Sequence, residues 1–250
     1  RLSTTKKIGD NYYNDGTFKQ WSASGLAVVW AEENTRESIF NAFRRKETYA
    51  TSGTRIKLRF FATEGLDESI LSQPNMVKTA YLKGVPMGGE IISTTEESPQ
   101  FLVWAMQDSD GAPLQRIQII KGWVDEITGR PHEKIYDVAC SDGLLVDPIT
   151  NRCPDNRARV DIANCSISRN VGSGELKTIW SDPDFRPNLK SFYYVRVLEN
   201  PTCRWSTWDA INSGIKPRPD LQSTIQERAW SSPIWYTPIS QKDTDYVQLN

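Results

Sequence analysis

"SGLAVVWAEENTRESIFNAFRRKETYATSGTRIKLRFF", Ser24 to Phe61, changes its hydrophobic period twice, and the reading of the fold turns on it. Leu26 to Ala31 is a short continuous apolar run, the pattern of a buried strand. Asn34 stands where a helix N-cap would, and Glu37 three residues on completes a capping box. Ile39, Phe40 and Phe43 then fall on one face at helical spacing. Arg44, Arg45 and Lys46 crowd the last turn, where cations complement the helix dipole. After Gly53, Ile56, Leu58 and Phe60 alternate with Arg55, Lys57 and Arg59, which predicts a half-exposed strand with a basic outer face. The expected local order is strand, helix, strand, one βαβ-like unit. Within it, Arg44 to Gly53 supports two readings. One is an anion site with Arg45 as the charge and Thr48, Thr51 or Ser52 as donors. The other is a helix end followed by a hydroxyl-rich turn.

Outward from this stretch the chain reads as β-rich. Residues 100–106, 115–124, 133–140, 191–199 and 228–236 are the strand candidates, separated by Gly, Pro, Asn and Asp clusters. Only 206–214 reads as a further helix, with Ser206 as cap, Asp209 at its third position and Gly214 as stop. Residues 1–20 read as a polar arm and 237–250 as a polar tail. The fold class is therefore α+β, mainly β.

Bulk properties narrow the functions. The 250 residues carry a net charge of −1, so there is no global basic field to drive nucleic-acid binding. No apolar run approaches the roughly 18–20 residues of a membrane span. The chain opens Arg-Leu-Ser-Thr-Thr-Lys-Lys, without an initiator Met or a signal h-region, and reads as an excised piece of something longer. Cys140, Cys153, Cys165 and Cys203 form no CxxC pair, and the single His132 cannot complete a zinc set. Two disulfides in an oxidising compartment are expected. Of the three pairings, Cys140–Cys153 with Cys165–Cys203 is the least demanding, because the first staples one local loop.

Candidate chemistry is sparse. Glu32 and Glu33 sit at a strand-to-helix junction, and adjacent extended residues point opposite ways, so one of them at most faces a site. His132 lies in turn sequence and reads as a surface residue. Asp142, Asp147, Asn151, Asp155, Asn156 and Asp161 offer oxygens for Ca²⁺ but lack EF-hand spacing, and such residues are ordinary turn material. The nine tryptophans either fill a large core or stack on sugar rings. There is no nucleophile elbow, phosphate-binding glycine loop or HExxH motif.

Residues 24–61, "GVPMGGE" (84–90), "APLQRIQIIKGWVDE" (112–126), "YDVACSDGLLVDPITNRCPDN" (136–156), "FYYVRVLENPTCRWSTWDAI" (192–211) and "QERAWSSPIWY" (226–236) closely resemble a bacterial family catalogued as domain of unknown function 3604. The resemblance covers roughly residues 21–236. It implies exported metal-dependent hydrolases of phosphoesterase type, related to the polymerase-and-histidinol-phosphatase β/α barrel. The family's His- and Asp-rich ligand motifs lie upstream of the matched segment, so a divalent metal is expected there and no metal ligand in this chain. The implied organisation is a polar arm (1–20), the C-terminal segment of a β/α barrel (21–62), a large antiparallel β-sandwich (63–236) and a polar tail (237–250). On this reading the chain completes a pocket, is inert alone and pairs with the upstream portion or a companion chain. Glu32, Glu33, Arg36, Arg45, Thr51 and Ser52 are the candidates for lining that pocket, the carboxylates orienting metal ligands and the arginines holding an anion. The expected location is periplasmic or secreted, with self-association as a risk. The alternative is a stand-alone β-rich module that binds a glycan or a protein partner.

Overall fold

The computed structural model describes residues 5–14, 21, 24–63, 65–93 and 96–239. The chain opens with β1 (Thr5–Ile8), β2 (Asn11–Asn14), β3 (Leu26–Val29), α1 (Arg36–Arg44), β4 (Thr48–Thr51) and β5 (Lys57–Thr63). A 3₁₀ turn (Glu68–Ser72) leads to α2 (Met76–Lys83), β6 (Gly84–Pro86), β7 (Glu90–Ser93), β8 (Gln100–Met106), β9 (Leu114–Val124) and β10 (Pro131–Cys140). Then come β11 (Val160–Asp161), β12 (Ser166–Ile167), β13 (Glu175–Ser181), β14 (Ser191–Glu199), β15 (Thr202–Cys203), α3 (Trp205–Asn212), β16 (Thr224–Ile225), β17 (Arg228–Ser231) and β18 (Ile234–Pro238).

Two sheets make the body. The larger has eight strands along the path β10-β9-β14-β17-β4-β3, with β18 beside β14 and β7 beside β18. The smaller runs β13-β8-β5-β6. Inward residues of both interdigitate, as period-2 alternation requires. Leu58, Phe60, Phe101 and Val103 of the small sheet meet Ile117, Ile119, Tyr193, Val195 and Ile234 of the large one. The Phe101 ring lies 4.4 Å from Tyr193 and 5.7 Å from Phe60, at the centre of this layer. A second apolar cluster covers the other face of the small sheet, where Phe61 and Leu102 pack under Ile70, Met76 and Ala80 of the 3₁₀ turn and α2.

A buried polar cluster interrupts the core beneath β9 and β14. Lys121 pairs with Asp182 at 2.5 Å, and the Tyr193 hydroxyl donates to Asp182 at 2.8 Å. Lys121 also donates to the Asp184 carbonyl, and Tyr136 donates to the Asp184 carboxylate. Removing one partner of such a pair leaves an uncompensated charge, at a cost of about 3–5 kcal/mol.

The expectation of a mainly β structure built from antiparallel sheets stands, with most of its strands, and the two sheets also take in β3, β4 and β5 from the segment up to residue 63. The single strand expected at 228–236 is two, because Pro233 has no amide N–H to donate and the chain bends between β17 and β18. Ser231 bridges the gap by accepting from the Val195 amide at 2.9 Å. The segment expected as a barrel end behaves differently. β3 and β4 are antiparallel, with Leu26 opposite Thr51, and β4 continues into β17. A β/α barrel brings successive strands together in parallel. Here α1 returns the chain alongside β3 in the opposite sense, and the pair extends the large sheet. The α1 cap is Thr35, which accepts from the Ser38 amide, one residue later than the expected Asn34. The apolar face of α1 is not buried: Phe40 is 58% exposed and Phe43 51%, while Ala42 packs inward. The second expected helix begins at Trp205 with Arg204 as its cap and no side-chain cap bond. Ser206 instead accepts from the Arg204 guanidinium. Gly214 supplies the stop at φ +67°. Within the expected polar arm, β1 and β2 form a hairpin, and of the expected tail, residues 240–250 lie outside the described residues. No helix among the described residues is long and apolar enough to cross a membrane.

Both expected disulfides are present, Cys140–Cys153 and Cys165–Cys203, closing 13 and 38 residues of chain. Loop-closure entropy assigns about 3 kcal/mol to the first and about 4 kcal/mol to the second. The paired variant C165S/C203S is therefore expected to shift the urea midpoint further than C140S/C153S, in equilibrium unfolding followed by tryptophan fluorescence.

Candidate functional site

The pocket that gathers the most chemistry forms where the chain leaves β3 and returns from α1. It encloses about 540 Å³ between Trp30, Glu32, Arg45, Glu47, Arg59 and Tyr81, with Ala31 and Pro86 completing the wall. Its geometry starts at the end of α1. Lys46 takes the left-handed conformation, φ +58°, so the helix closes with Glu47 N–H bonded to the Ala42 carbonyl. That turn brings Arg45 and Glu47 to the same side, 3.5 Å apart. Gly88, at φ +89°, lets a neighbouring loop run against this turn: a Cβ there would come within 2.3 Å of the Lys46 carbonyl oxygen.

Glu47 is buried, with its side chain 5% exposed. It accepts from the Tyr81 hydroxyl and lies 3.5 Å from Arg59. Arg59 donates to Tyr81 at 2.6 Å and stacks its guanidinium 3.4 Å from the Trp30 ring centroid. Trp30 in turn donates its indole N–H to the Leu58 carbonyl at 2.8 Å. Tyr81 is pushed up to about 12, chiefly by burial and next by its bond to the Glu47 carboxylate, against the opposing pull of Arg59. It therefore keeps its proton at neutral pH and acts as a donor. Arg45 is the outward member of the set, its side chain 47% exposed. One edge of its guanidinium is held by Glu47 while the rest faces the pocket, an arrangement that can grip a carboxylate or phosphate by paired N–H bonds.

The six sequence-derived candidates divide among three places. Glu32 and Arg45 line the pocket together. Glu33 and Arg36 are exposed at the start of α1, where the Glu33 amide donates to Ser38. Thr51 and Ser52 lie at the far end of β4, roughly 13 Å along the strand from Glu47. Thr51 is buried and accepts from the Gly53 amide, whereas Ser52 donates to Glu227 and accepts from the Arg228 amide. Four contributors were missed: Trp30, Glu47, Arg59 and Tyr81. Tyr81 stands on α2, a helix the strand-dominated reading passed over. Its signals were Met76 and Ala80 at i, i+4, with Gly84 directly after the last turn.

The other candidates resolve simply. Asp147, Asp155 and Asp161 each accept from backbone amides two or three residues on, as Asx turns do. Asp142 accepts from the Gly172 amide. His132 lies on β10 and stacks on Trp123. Among the described residues, no group of three or more His, Cys, Asp or Glu side chains is placed to hold a metal ion.

Beyond Ser52, Glu199 is sealed at the end of β14, fully buried, with neither carboxyl oxygen in a well-formed hydrogen bond. Burial pushes it up to about 7, and the nearby charges of Glu227 and Asp108 push the same way, against the pull of the Ala112 amide and Thr54 hydroxyl.

A family model described as "Protein of unknown function (DUF3604)" matches residues 2–238. No curated protein and no solved structure matches the chain.

Because Glu199 holds its proton longer in the folded state than in the unfolded chain, stability falls as pH rises from about 4.5 to about 7, by about 3 kcal/mol in all. The stability difference between E199Q and the parent protein should grow through that window and level off above it, measured by urea unfolding from pH 4 to 8.

Proposed function

The chain belongs to the family of proteins of unknown function termed DUF3604, and from that membership we propose that it forms the anion-holding, pocket-completing part of an exported metal-dependent hydrolase of phosphoesterase type. The observation that carries the proposal is the adjacency of two features on α1 and its exit. Arg45 presents a half-free guanidinium to the pocket, oriented by buried Glu47. Beside it, Phe40 and Phe43 leave an uncovered apolar face one helical turn long. A covering portion packed on Phe40 and Phe43 would roof the pocket mouth, and the resemblance assigns the metal-bearing barrel to such a portion, in the same protein or a companion chain. The bound anion would be a phosphoryl or carboxylate group, with Arg45 as its principal contact and Glu32 on the same rim. The two disulfides belong to the chemistry of an oxidising compartment, and the proposed location is the periplasm or the exterior.

A second reading, a β-rich module that binds glycans or a protein partner without catalysis, is favoured by an aromatic groove at the other side of the large sheet.

Titration with inorganic phosphate, followed by ¹⁵N–¹H shifts of the arginine side chains, should show saturable binding that R45Q weakens about 10- to 100-fold, the range of a charge-assisted bond of about 1.5–3 kcal/mol. Absence of any saturable shift would remove the anion assignment. Absence of divalent-metal-dependent turnover of a phosphodiester by the protein joined to its barrel portion would remove the hydrolase assignment.

A further inference from the structure

A groove of about 620 Å³ opens on β9, β10, β14 and β18, at the side of the large sheet away from β3 and β4. Its floor is built around a missing side chain. Gly122 of β9 pairs with Phe192 of β14, which pairs in turn with Trp235 of β18. A Cβ on Gly122 would fall 2.2 Å from the Phe192 ring, so that ring lies over bare glycine backbone. Trp235 follows at 5.2 Å between centroids, tilted by 50°, and remains 40% exposed despite this packing. Trp123 and His132, in the next row of the register, stack nearly parallel on the reverse face at the same end of the sheet, 5.3 Å apart and 14° from coplanar.

The polar groups stand at the rim. Glu126, Glu133, His132 and Lys190 border the aromatic floor. A second recess of about 350 Å³ shares Trp123, Glu126 and Leu189 with the groove and adds Arg186 and Asn188. The rim therefore offers both acceptors and donors around the apolar floor, carboxylates and basic side chains mixed, without one dominant sign of charge.

These features choose among ligand classes. An ionic ligand would need a rim of one sign. A purely apolar ligand would make no use of the charged groups at the rim. A sugar presents flat C–H faces that aromatic rings cover, and hydroxyls at its edges that both donate and accept. Core filling accounts for Phe192 over Gly122 but not for the exposed Trp235 or the rim. We propose that this groove is a binding site for a neutral oligosaccharide of at least two rings, with Phe192 and Trp235 as the stacking floor. The site is independent of the Arg45 pocket.

The test is affinity electrophoresis of the protein through gels containing soluble β-glucan, xylan, galactomannan or dextran, with hexasaccharide titrations read by tryptophan fluorescence. The expected result is retardation by at least one polymer, with W235A weakening binding about tenfold while its circular dichroism spectrum is unchanged. If W235A does not fold, E126A at the exposed rim takes its place, with an expected loss of at least threefold. Retardation by none of the four polymers would overturn the site, and so would unchanged binding in a folded W235A. Self-association seen by sedimentation and abolished by W235A would overturn it as well, by assigning the groove to a second copy of the chain.

Discussion

Glu47 is a carboxylate with almost no access to water, and three parts of the structure meet on it. Arg45 comes from the exit of α1, Arg59 from β5 of the small sheet and Tyr81 from α2. Burying one ion costs several kcal/mol, and the cost is offset only when its lone pairs are filled by well-placed donors. Here two guanidiniums and a hydroxyl fill them. The consequence is positional. Arg59 cannot swing to solvent without stranding Glu47, so it stays against Trp30, whose indole is fixed on the Leu58 carbonyl. Arg45 is left as the member with freedom to meet a ligand. The pocket is thus rigid on its inner side and adaptable at its mouth.

Polar burial elsewhere follows the same logic. Lys121 and Asp182, with Tyr193 and Tyr136 around them, sit where the loop after β13 closes over the large sheet. The surrounding layer is aliphatic and aromatic, and such surfaces tolerate sliding. A one-residue slip would turn Tyr193 outward and leave Asp182 without its donors, so the cluster penalises wrong registers more than it stabilises the right one. Glu199 differs. Its partners are weak and its neighbours Glu227 and Asp108 share its sign, so it resolves the conflict by keeping its proton.

Much of this was legible in the sequence. Strands such as 100–106 and 191–199 announced themselves as short runs rich in aromatic and β-branched residues between turn clusters; in 100–106 both faces are packed, Phe101 and Val103 on one side and Leu102 on the other, so the run is apolar throughout. Of the three pairings the cysteines allow, the one found is the least demanding, with a local 140–153 loop, although the sequence left the choice open. What stayed hidden depended on tertiary context. The helix α1 has a readable apolar stripe, yet Phe40 and Phe43 stay more than half exposed, with the Arg44 guanidinium 6.0 Å over the Phe40 ring, so periodicity correctly gave the helix and misled on its burial. Its sense of return, antiparallel beside β3, is set by pairing with β17 more than 170 residues away, which no local pattern encodes. Glu47 looked like the charged end of a helix. Only Arg59 and Tyr81, distant in sequence, make it the centre of a site.

The uncovered stripe on α1 and the half-free Arg45 bear on each other physically. A guanidinium at a wet, open mouth grips an anion weakly, since water and salt screen the interaction. Packing a second surface on Phe40 and Phe43 would remove apolar area from water, worth about 25 cal/mol per Å². It would also lower the local dielectric around Arg45, where the same charge–charge contact is several times stronger. On the proposed reading, assembly and ligand capture are therefore one event: the face that recruits the covering portion lies within two residues of the group that holds the anion. On the same reading, a chain without the covering portion would show the anion contact in its weakest form, because that portion would supply the wall that excludes water while Glu47 orients the charge.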